Sequence, residues 1–376
     1  MQKIIKTIHG HIHTPAFFPD ATYGAVKGLS FEDVKITGTK QIVTTTLHLE
    51  QKLTSEYIKN YGGIHKFFNW NKPILTDSGG YQVFSLIYRR PGNKNTISDA
   101  GCSFKEIESG KYNFLSPEIS QIIQYNLGAD IVTVLDVPIQ ADAATNEQIK
   151  AIQRNSKWAE RSKQKFLELH NLSEDDFNNP DIQRPLIGAV IQGGHDPELR
   201  ERSALDLLEI GFDLYNFGGP PIYRDQSWRK NAPAGFNKEM IEYVSSLIPE
   251  NKIKYAMGVG TPDDIAYSVQ KGWDIFDTVL PTRNGRHGYM YVSKGQGDES
   301  FENYDVLHVK NKQYEYDENP VDETCSCECC RTVSRAYLRH LIKIQDPSGW
   351  RLASIHNLRF YQNILNFLKD GNAKHN

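Results

Sequence analysis

Three aspartates, one glutamine and several glycines fall at the ends of separate β-rich runs in this chain. They are Asp77 in PILTDSGG, Asp136 in ADIVTVLD, Gln192 in PLIGAVIQGG, Gly218 and Gly219 in FDLYNFGG, Met257 and Gly258 in KYAMGVG, and Asp277 in WDIFDTVLPTR. One strand-end aspartate is as readily a helix cap or turn former as a site residue. Three of them, with a glutamine and glycine tips, point to a pocket holding two or three carboxylates and backbone N–H groups laid open by glycine. Paired carboxylates suit chemistry at an anomeric carbon. One attacks to form a covalent glycosyl intermediate, and the other manages the proton on the departing or arriving group. An ordinary glycosidase fits the same description, and the carboxylates alone do not choose between the two.

A second group of residues reads as a metal site. Of five cysteines, Cys325, Cys327, Cys329 and Cys330 lie in one short stretch. A disulfide scaffold would spread them along the chain, whereas clustering of this kind signals metal. Cys325-x-Cys327-x-x-Cys330 supplies three thiolates, and His356, placed at the head of a helix, supplies an imidazole for a closed tetrahedral structural zinc site. Adjacent Cys329 and Cys330 cannot easily both reach one ion, and the spacing favours Cys330. Cys102 stands alone and reads as a core residue. Next to Asp277, the segment Pro281 to Gly288 carries Arg283 and Arg286 on what reads as a flexible, Gly-rich loop, suited to phosphates or base edges. Neutralising nearby acids is the plainer alternative. Arg331, Arg335, Arg339 and Lys343 recur at helical spacing, which a basic stripe and a solvated helix face explain equally well.

These tips need a scaffold. Eight β-rich runs recur at 13–22, 41–49, 73–80, 129–136, 185–194, 212–219, 254–260 and 273–283. Helical patterns lie between most of them, at 51–60, 117–127, 145–170, 197–210, 237–248 and 262–271. Ser116-Pro117 and Thr261-Pro262, each followed by an acidic residue, are helix starts. Eight strand–helix units predict an α/β fold, a closed (β/α)₈ TIM barrel whose active site lies at the strand C-terminal ends. A doubly wound sheet competes, but the dinucleotide fingerprint is missing after the first strand. Residues 85–115 predict an inserted hairpin turning around Ser109-Gly110, and 171–184 a polar surface loop. Beyond the eighth strand, YMYVSKG and YDVLHVKNKQYEY predict small strands, followed by helices at 333–345 and 355–368. The expected division is a barrel over 1–285 and a zinc-binding subdomain with closing helices over 286–376.

Composition is ordinary for a globular chain, with 39% hydrophobic and 24% charged residues. No apolar run is long enough to span a bilayer, and the N-terminus lacks the apolar core of a secretory signal, so a cytoplasmic location is expected. The net charge of −3 means that any contact with nucleic acid must come from a local basic patch.

Taken together, TDSGGYQVFS (76–85), IQGG (191–194), MGVGTPDDI (257–265), FDTVLPTRNGR (276–286) and the Cys-x-Cys-x-x-Cys…His set with SRAYLRHL (334–341) resemble the queuine tRNA-ribosyltransferases, or tRNA-guanine transglycosylases. The similarity runs in order over nearly the whole chain. It implies that Asp277 is the nucleophile on the ribose anomeric carbon and that Asp77 handles the proton on the leaving and entering bases. It also implies that Asp136 reads the guanine Watson–Crick edge, that Gln192 and the Gly219 N–H donate to the guanine carbonyl, and that Tyr81 and Met257 sandwich the base. Arg283 and Arg286 match residues that recognise uridines flanking the target in the anticodon loop. Cys325, Cys327, Cys330 and His356 match the ligands of one structural zinc per chain. The implied partners are a tRNA with guanine at the first anticodon position, a 7-deazaguanine base and a second copy of the chain in a homodimer. A splayed-out, stacked base and a covalent ribosyl-aspartate that keeps the strand connected fit that chemistry.

Two segments depart from the family's bacterial pattern. Asp136-Val137-Pro138-Ile139 stands where those members usually carry Asp-Glu-Cys-Thr-Pro, and Gly219 is followed by Pro220-Pro221-Ile222-Tyr223-Arg224 instead of Leu-Ala-Val-Gly-Glu. Both fall where the family contacts the base's 7-substituent. Prolines offer carbonyl acceptors and no N–H donors. The expected entering base is therefore 7-aminomethyl-7-deazaguanine, whose cationic group needs acceptors, ahead of the nitrile precursor or queuine. Rival readings are a paralogue acting on another nucleic acid and a zinc-stabilised RNA-binding partner subunit without activity. The retained Asp77, Asp136 and Asp277 argue against the latter.

Overall fold

The computed structural model describes residues 2–88, 95–106, 110–138, 145–219, 222–223, 235–294 and 304–373. Eight strands form one sheet: β1 (Ala16–Pro19), β2 (Ile42–Thr44), β3 (Ile74–Thr76), β4 (Ile131–Thr133), β5 (Leu186–Ile191), β6 (Leu214–Phe217), β7 (Ile253–Ala256) and β8 (Ile275–Thr278). All neighbouring pairs are parallel, from β2 through β8, and β8 pairs with β1. The seam between β1 and β2 is joined by a parallel bridge between Asp20 and Val43, with the Ala21 N–H donating to the Val43 carbonyl at 2.7 Å. The sheet is a (β/α)₈ barrel, as the alternation of strand and helix patterns predicts.

The two-residue strand period sorts the side chains. Ala16, Phe18, Val43, Leu75, Ile131, Leu214, Tyr255 and Ile275 fill the barrel interior. Their neighbours Phe17, Ile42, Ile74, Val132, Ile187, Tyr215, Ala256 and Phe276 pack outward under the helices. A hairpin of Ile4–Thr7 and Gly10–His13, unforeseen in the sequence, closes the floor with Ile5 and Ile12. The His9 N–H and ring Nδ1 both meet the buried Asp130 carboxylate there, at 2.9 and 3.0 Å.

Helices Pro117–Leu127, Thr145–His170, Pro197–Ile210, Lys238–Leu247 and Pro262–Gln270 lie where the sequence places them. Other expectations need correction. The run 41–49 is strand only through Thr44, and a helix, Thr46–Leu53, starts at once because the Asp77 carboxylate accepts its first N–H. The expected helix over 51–60 is therefore two, broken at Thr54 with φ of 63° before Ser55–Tyr61. The insertion begins with a helix, Gly80–Tyr88, before a three-stranded antiparallel sheet of Thr96–Ile97, Cys102–Lys105 and Tyr112–Leu115. Ser109 lies outside the described residues. The polar stretch 171–184 holds a short helix, Glu174–Asn178, started by the Ser173 and Asp176 capping box.

After β8 the chain forms helix Leu280–His287, the antiparallel strands Tyr289–Ser293 and Tyr304–His308, and helices Glu328–Thr332 and Arg335–Lys343. The last helix, Pro347–Ala373, belongs to two cores. Leu352, Ala353 and Ile355 pack with Met290, Val321 and Leu338 in a lobe of their own. Leu358, Tyr361 and Leu365 pack on the barrel, where Tyr361 lies against Phe17 and donates to the Gly260 carbonyl at 2.6 Å.

Candidate active site

Strand parity carries straight into the site. The inward positions that follow the apolar interior are Asp20 after Phe18, Asp77 after Leu75, Gln192 after Val190, Met257 after Tyr255 and Asp277 after Ile275. They open into a cavity of about 770 Å³ at the C-terminal ends of the strands. Its wall takes in Asp77, Tyr81, Asp136, Gln192, Gly219, Met257 and Asp277, every catalytic and base-contacting candidate named from the sequence.

Asp277 is held on one side. The Tyr255 hydroxyl and the Gly258 N–H both donate to its Oδ1, at 2.7 and 2.9 Å. Among the described residues none donates to Oδ2. Burial pushes the Asp277 carboxyl up to about 6. Those two hydrogen bonds pull it down, and the negative charges of Asp20 and Asp77 add to the rise. Asp77 is gripped by Thr46, whose N–H and hydroxyl both reach Oδ1 at 3.0 Å, by the Gly79 N–H at 3.2 Å and by Gln82 Nε2 on Oδ2 at 2.8 Å. Burial still outweighs these donors and raises its pKa. Asp136, 8% exposed, accepts from Gln192 Nε2 at 2.6 Å. Burial pushes it up to about 7 against that hydrogen bond, with the charge of Asp77 pushing the same way.

Backbone proximity brings the base-stacking candidate to the carboxylates. A Cβ at Gly80 would stand 1.8 Å from the Asp136 carbonyl oxygen, so only glycine lets the Gly80–Tyr88 helix start there and project Tyr81, 55% exposed, over the cavity. Beneath the β5 and β6 tips lies Arg200, 1% exposed, which the sequence reading missed. Its guanidinium donates to the Ile191 and Gly194 carbonyls at 2.5 and 3.0 Å and lies 4.3 Å from the Phe217 ring centre, fixing the turns that carry Gln192 and Gly219. Asp20 was missed too, although it obeys the strand-end rule. Thr22 donates to it, and burial raises its pKa against the pull of Thr22, His48 and Arg286.

Arg283 and Arg286 lie on a helix, Leu280–His287, and not on a flexible loop. Gly285 gives close packing instead of looseness, since a Cβ there would come within 2.9 Å of the Ala353 backbone. Arg283 is exposed, Arg286 is half-buried with Nη1 donating to the Lys27 carbonyl at 3.2 Å, and neither is on the cavity wall. The basic stripe is split: Arg331 and Arg335 fall on different helices, and Arg335 and Arg339 pair with Asp317 and Glu315. Pro138 lines the cavity, but Ile139, Pro220 and Pro221 lie outside the described residues, as do the side chains of Ile222 and Tyr223.

In the C-terminal lobe, one ligand atom from each of Cys325, Cys327, Cys330 and His356 lies within 4.8 Å of the others, a group that could hold a metal ion. His356 stands well inside the Pro347–Ala373 helix and not at its head. Its Nε2 donates to the Tyr291 carbonyl at 2.7 Å, which leaves the Nδ1 lone pair facing the Cys327 and Cys330 sulfurs at 3.6 and 3.2 Å. That is how a metal-binding histidine is oriented. Cys329 points away into the apolar cluster of the lobe, where burial raises its thiol pKa. Cys102 is buried in the barrel core.

Fold and site define a barrel enzyme that gathers carboxylates around a cavity of small-molecule size, with a lobe carrying a three-cysteine, one-histidine group that could hold a metal ion. The family model described as Queuine tRNA-ribosyltransferase matches residues 3–371. Proteins named queuine tRNA-ribosyltransferase share this sequence at 40% identity in Psychrobacter sp. (96% of this chain, 87% of the relative) and 40% in Baumannia cicadellinicola (97% and 90%). One from Haemophilus ducreyi is 39% identical over 94% of this chain and 84% of its own. The chain belongs to the queuine tRNA-ribosyltransferase family, the tRNA-guanine transglycosylases. Among the described residues no helix is long and apolar enough to cross a membrane.

Proposed function

We propose that this enzyme exchanges the guanine at the first anticodon position of tRNA for a 7-deazaguanine through a covalent ribosyl-aspartate. The observation that carries this reading is the convergence of Asp77, Asp136 and Asp277 on one cavity in a chain of this family. Asp277 Oδ2, the oxygen opposite the Tyr255 and Gly258 contacts, attacks the ribose anomeric carbon. The bond from that carbon to guanine N9 breaks, its electrons leave with the base, and Asp77 supplies the proton. The entering base returns a proton to Asp77, its N9 takes the anomeric carbon, and the Asp277 carboxylate is released. Nothing is consumed beyond the two bases exchanged.

Asp136 accepts from the N–H donors of the guanine edge, Gln192 and the Gly219 N–H donate to its carbonyl, and Tyr81 and Met257 close on its two faces. Arg283 and Arg286, one helical turn apart beyond β8, read the flanking uridines. Cys325, Cys327, Cys330 and His356 would hold zinc, which would cross-link the lobe and take no part in the exchange. The entering base is 7-aminomethyl-7-deazaguanine, supported by the donor-free Pro220-Pro221 pair and by Glu106, a further carboxylate on the cavity wall. The working form is a homodimer, as the resemblance implies, placed in the cytoplasm by the sequence reading of the N-terminus.

Labelled guanine supplied with tRNA, and separately with duplex DNA, tests the reading. Label entering tRNA alone is the expected result, and label entering DNA instead would transfer the assignment to another nucleic acid. Competition among the aminomethyl base, the nitrile base and queuine then ranks the substrates. Higher catalytic efficiency for either of the latter two would overturn the choice of base.

A further inference from the structure

Five carboxylates line the cavity, Asp20, Asp77, Glu106, Asp136 and Asp277, and the exchange described above gives a role to each of them but Asp20. Asp20 lies next to the nucleophile. β1 and β8 pair with Asp277 opposite Phe18 and Thr278 opposite Pro19, so Asp20 is the next inward position on the adjoining strand. The base-reading groups, Asp136, Gln192 and Gly219, come from β4, β5 and β6, across the barrel. A nucleotide whose anomeric carbon meets Asp277 and whose base points at β4 to β6 leaves its sugar over β8 and β1. The carbon next to the anomeric centre carries the 2′-hydroxyl, a donor that a carboxylate is suited to accept.

We propose that Asp20 is the ribose-reading residue of this site, accepting a hydrogen bond from the 2′-hydroxyl of the target nucleotide. This rests on the exchange reading above and adds a determinant of RNA over DNA to it. Asp20 is prepared for the role. Thr22 donates to Oδ1 and orients the carboxylate, and His48 and Arg286 supply the nearby positive charge that favours its ionised form against burial. The negative charge of Asp20 in turn bears on Asp277, whose carboxyl it helps to raise. A hydrogen bond to the hydroxyl beside a reacting anomeric carbon strengthens as the sugar gains oxocarbenium character, so its effect falls on the rate as well as on binding. The 2′-hydroxyl is also the group by which a protein tells RNA from DNA at a given nucleotide.

The test compares an all-RNA anticodon stem–loop with the same molecule carrying one 2′-deoxyguanosine at the target, reading kcat/KM for labelled-guanine exchange. Wild type should prefer the ribonucleotide by roughly tenfold to a hundredfold, the range of a hydrogen bond to a charged group. Asp20→Ala should lose that preference by falling much further on the RNA target than on the deoxy target. Asp20→Asn preserves shape and removes the charge. It should keep part of the preference and shift the acid limb of the pH–rate profile to lower pH, because Asp277 loses a negative neighbour. Equal losses on both targets, or an undiminished preference in Asp20→Ala, would overturn the assignment while leaving the exchange reading intact. Absence of exchange by wild type on the all-RNA molecule would overturn the exchange reading, and this inference with it.

Discussion

At the scale of single residues, the site stores its reactivity as the cost of burying charge. Asp136 shows this most clearly, because it is nearly inaccessible and is pushed up to about 7 by burial. Its raised pKa has a definite sign in stability. In the unfolded chain the carboxyl ionises near 3.8, and in the native state near 7. Between those values the unfolded state holds fewer protons, so native stability falls as pH rises through that window and the full penalty is present above it. Asp136→Asn keeps an acceptor for Gln192 and removes the charge. Its unfolding free energy should exceed that of wild type at pH 8 by an amount on the order of a few kcal/mol, at about 1.4 kcal/mol per pKa unit, read as a higher melting temperature, and the margin should shrink toward pH 4. Guanine exchange should be lost at both pH values. A margin that is flat with pH would show that Asp136 carries no burial penalty. On the proposed reading, stability is here exchanged for a carboxylate poised against a base edge, a trade common at active sites.

At the scale of elements, two features bear on how the chemistry is held in place, a close-packed helix pair and a lobe whose Cys325, Cys327, Cys330 and His356 could hold a metal ion. Gly285 lets helix Leu280–His287 lie against Ala353 of the last helix, and so sets where Arg283 and Arg286 stand. Gly285→Ala should force the helices apart, cost roughly 1–3 kcal/mol as overpacking does, and raise KM for tRNA more than it lowers kcat. An unchanged melting temperature and KM would contradict that packing argument. In the lobe, elemental analysis by mass spectrometry should find zinc lost in Cys330→Ala and kept in Cys329→Ala, with the melting temperature of the former down by roughly 5 °C or more. The reverse pattern would exchange the two cysteines in the ligand set. Most of this scale was legible in the sequence, because β strands buried on both faces are short apolar runs and Pro-started helices announce themselves, as at Pro117, Pro197 and Pro262. The failures have physical causes. The N-terminal hairpin turns through Ile8 and His9, which carry no turn signature. His356 looked like a helix start because Gly349 hides the real beginning at Pro347, where glycine is needed so that Leu341 can approach. Asp20 escaped notice because its strand ends on Pro19 and an unpunctuated Ala-Thr-Tyr, and not on the glycines that mark other tips.

At the scale of the whole molecule, a chain of net charge −3 must bind a polyanion through one local surface. Affinity for tRNA should therefore fall steeply with salt, linearly in a log–log plot, by release of counterions at that surface alone. If Arg283 and Arg286 read bases, replacing either with alanine should relax discrimination against altered anticodon-loop uridines. An equal loss on every RNA would reassign them to phosphate contacts. The barrel serves this surface by presenting its strand ends on one side, with the hairpin of Ile4–Thr7 and Gly10–His13 sealing the other. The proposed exchange turns on Asp277, whose Oδ1 takes both hydrogen bonds, from Tyr255 and Gly258. The decisive measurement is a denaturing gel of enzyme incubated with tRNA and quenched during exchange. Wild type should give a band of covalent enzyme–tRNA that persists through denaturation, and Asp277→Ala should give neither that band nor any exchange. The same band in Asp277→Ala would contradict the assignment of Asp277 as the nucleophile.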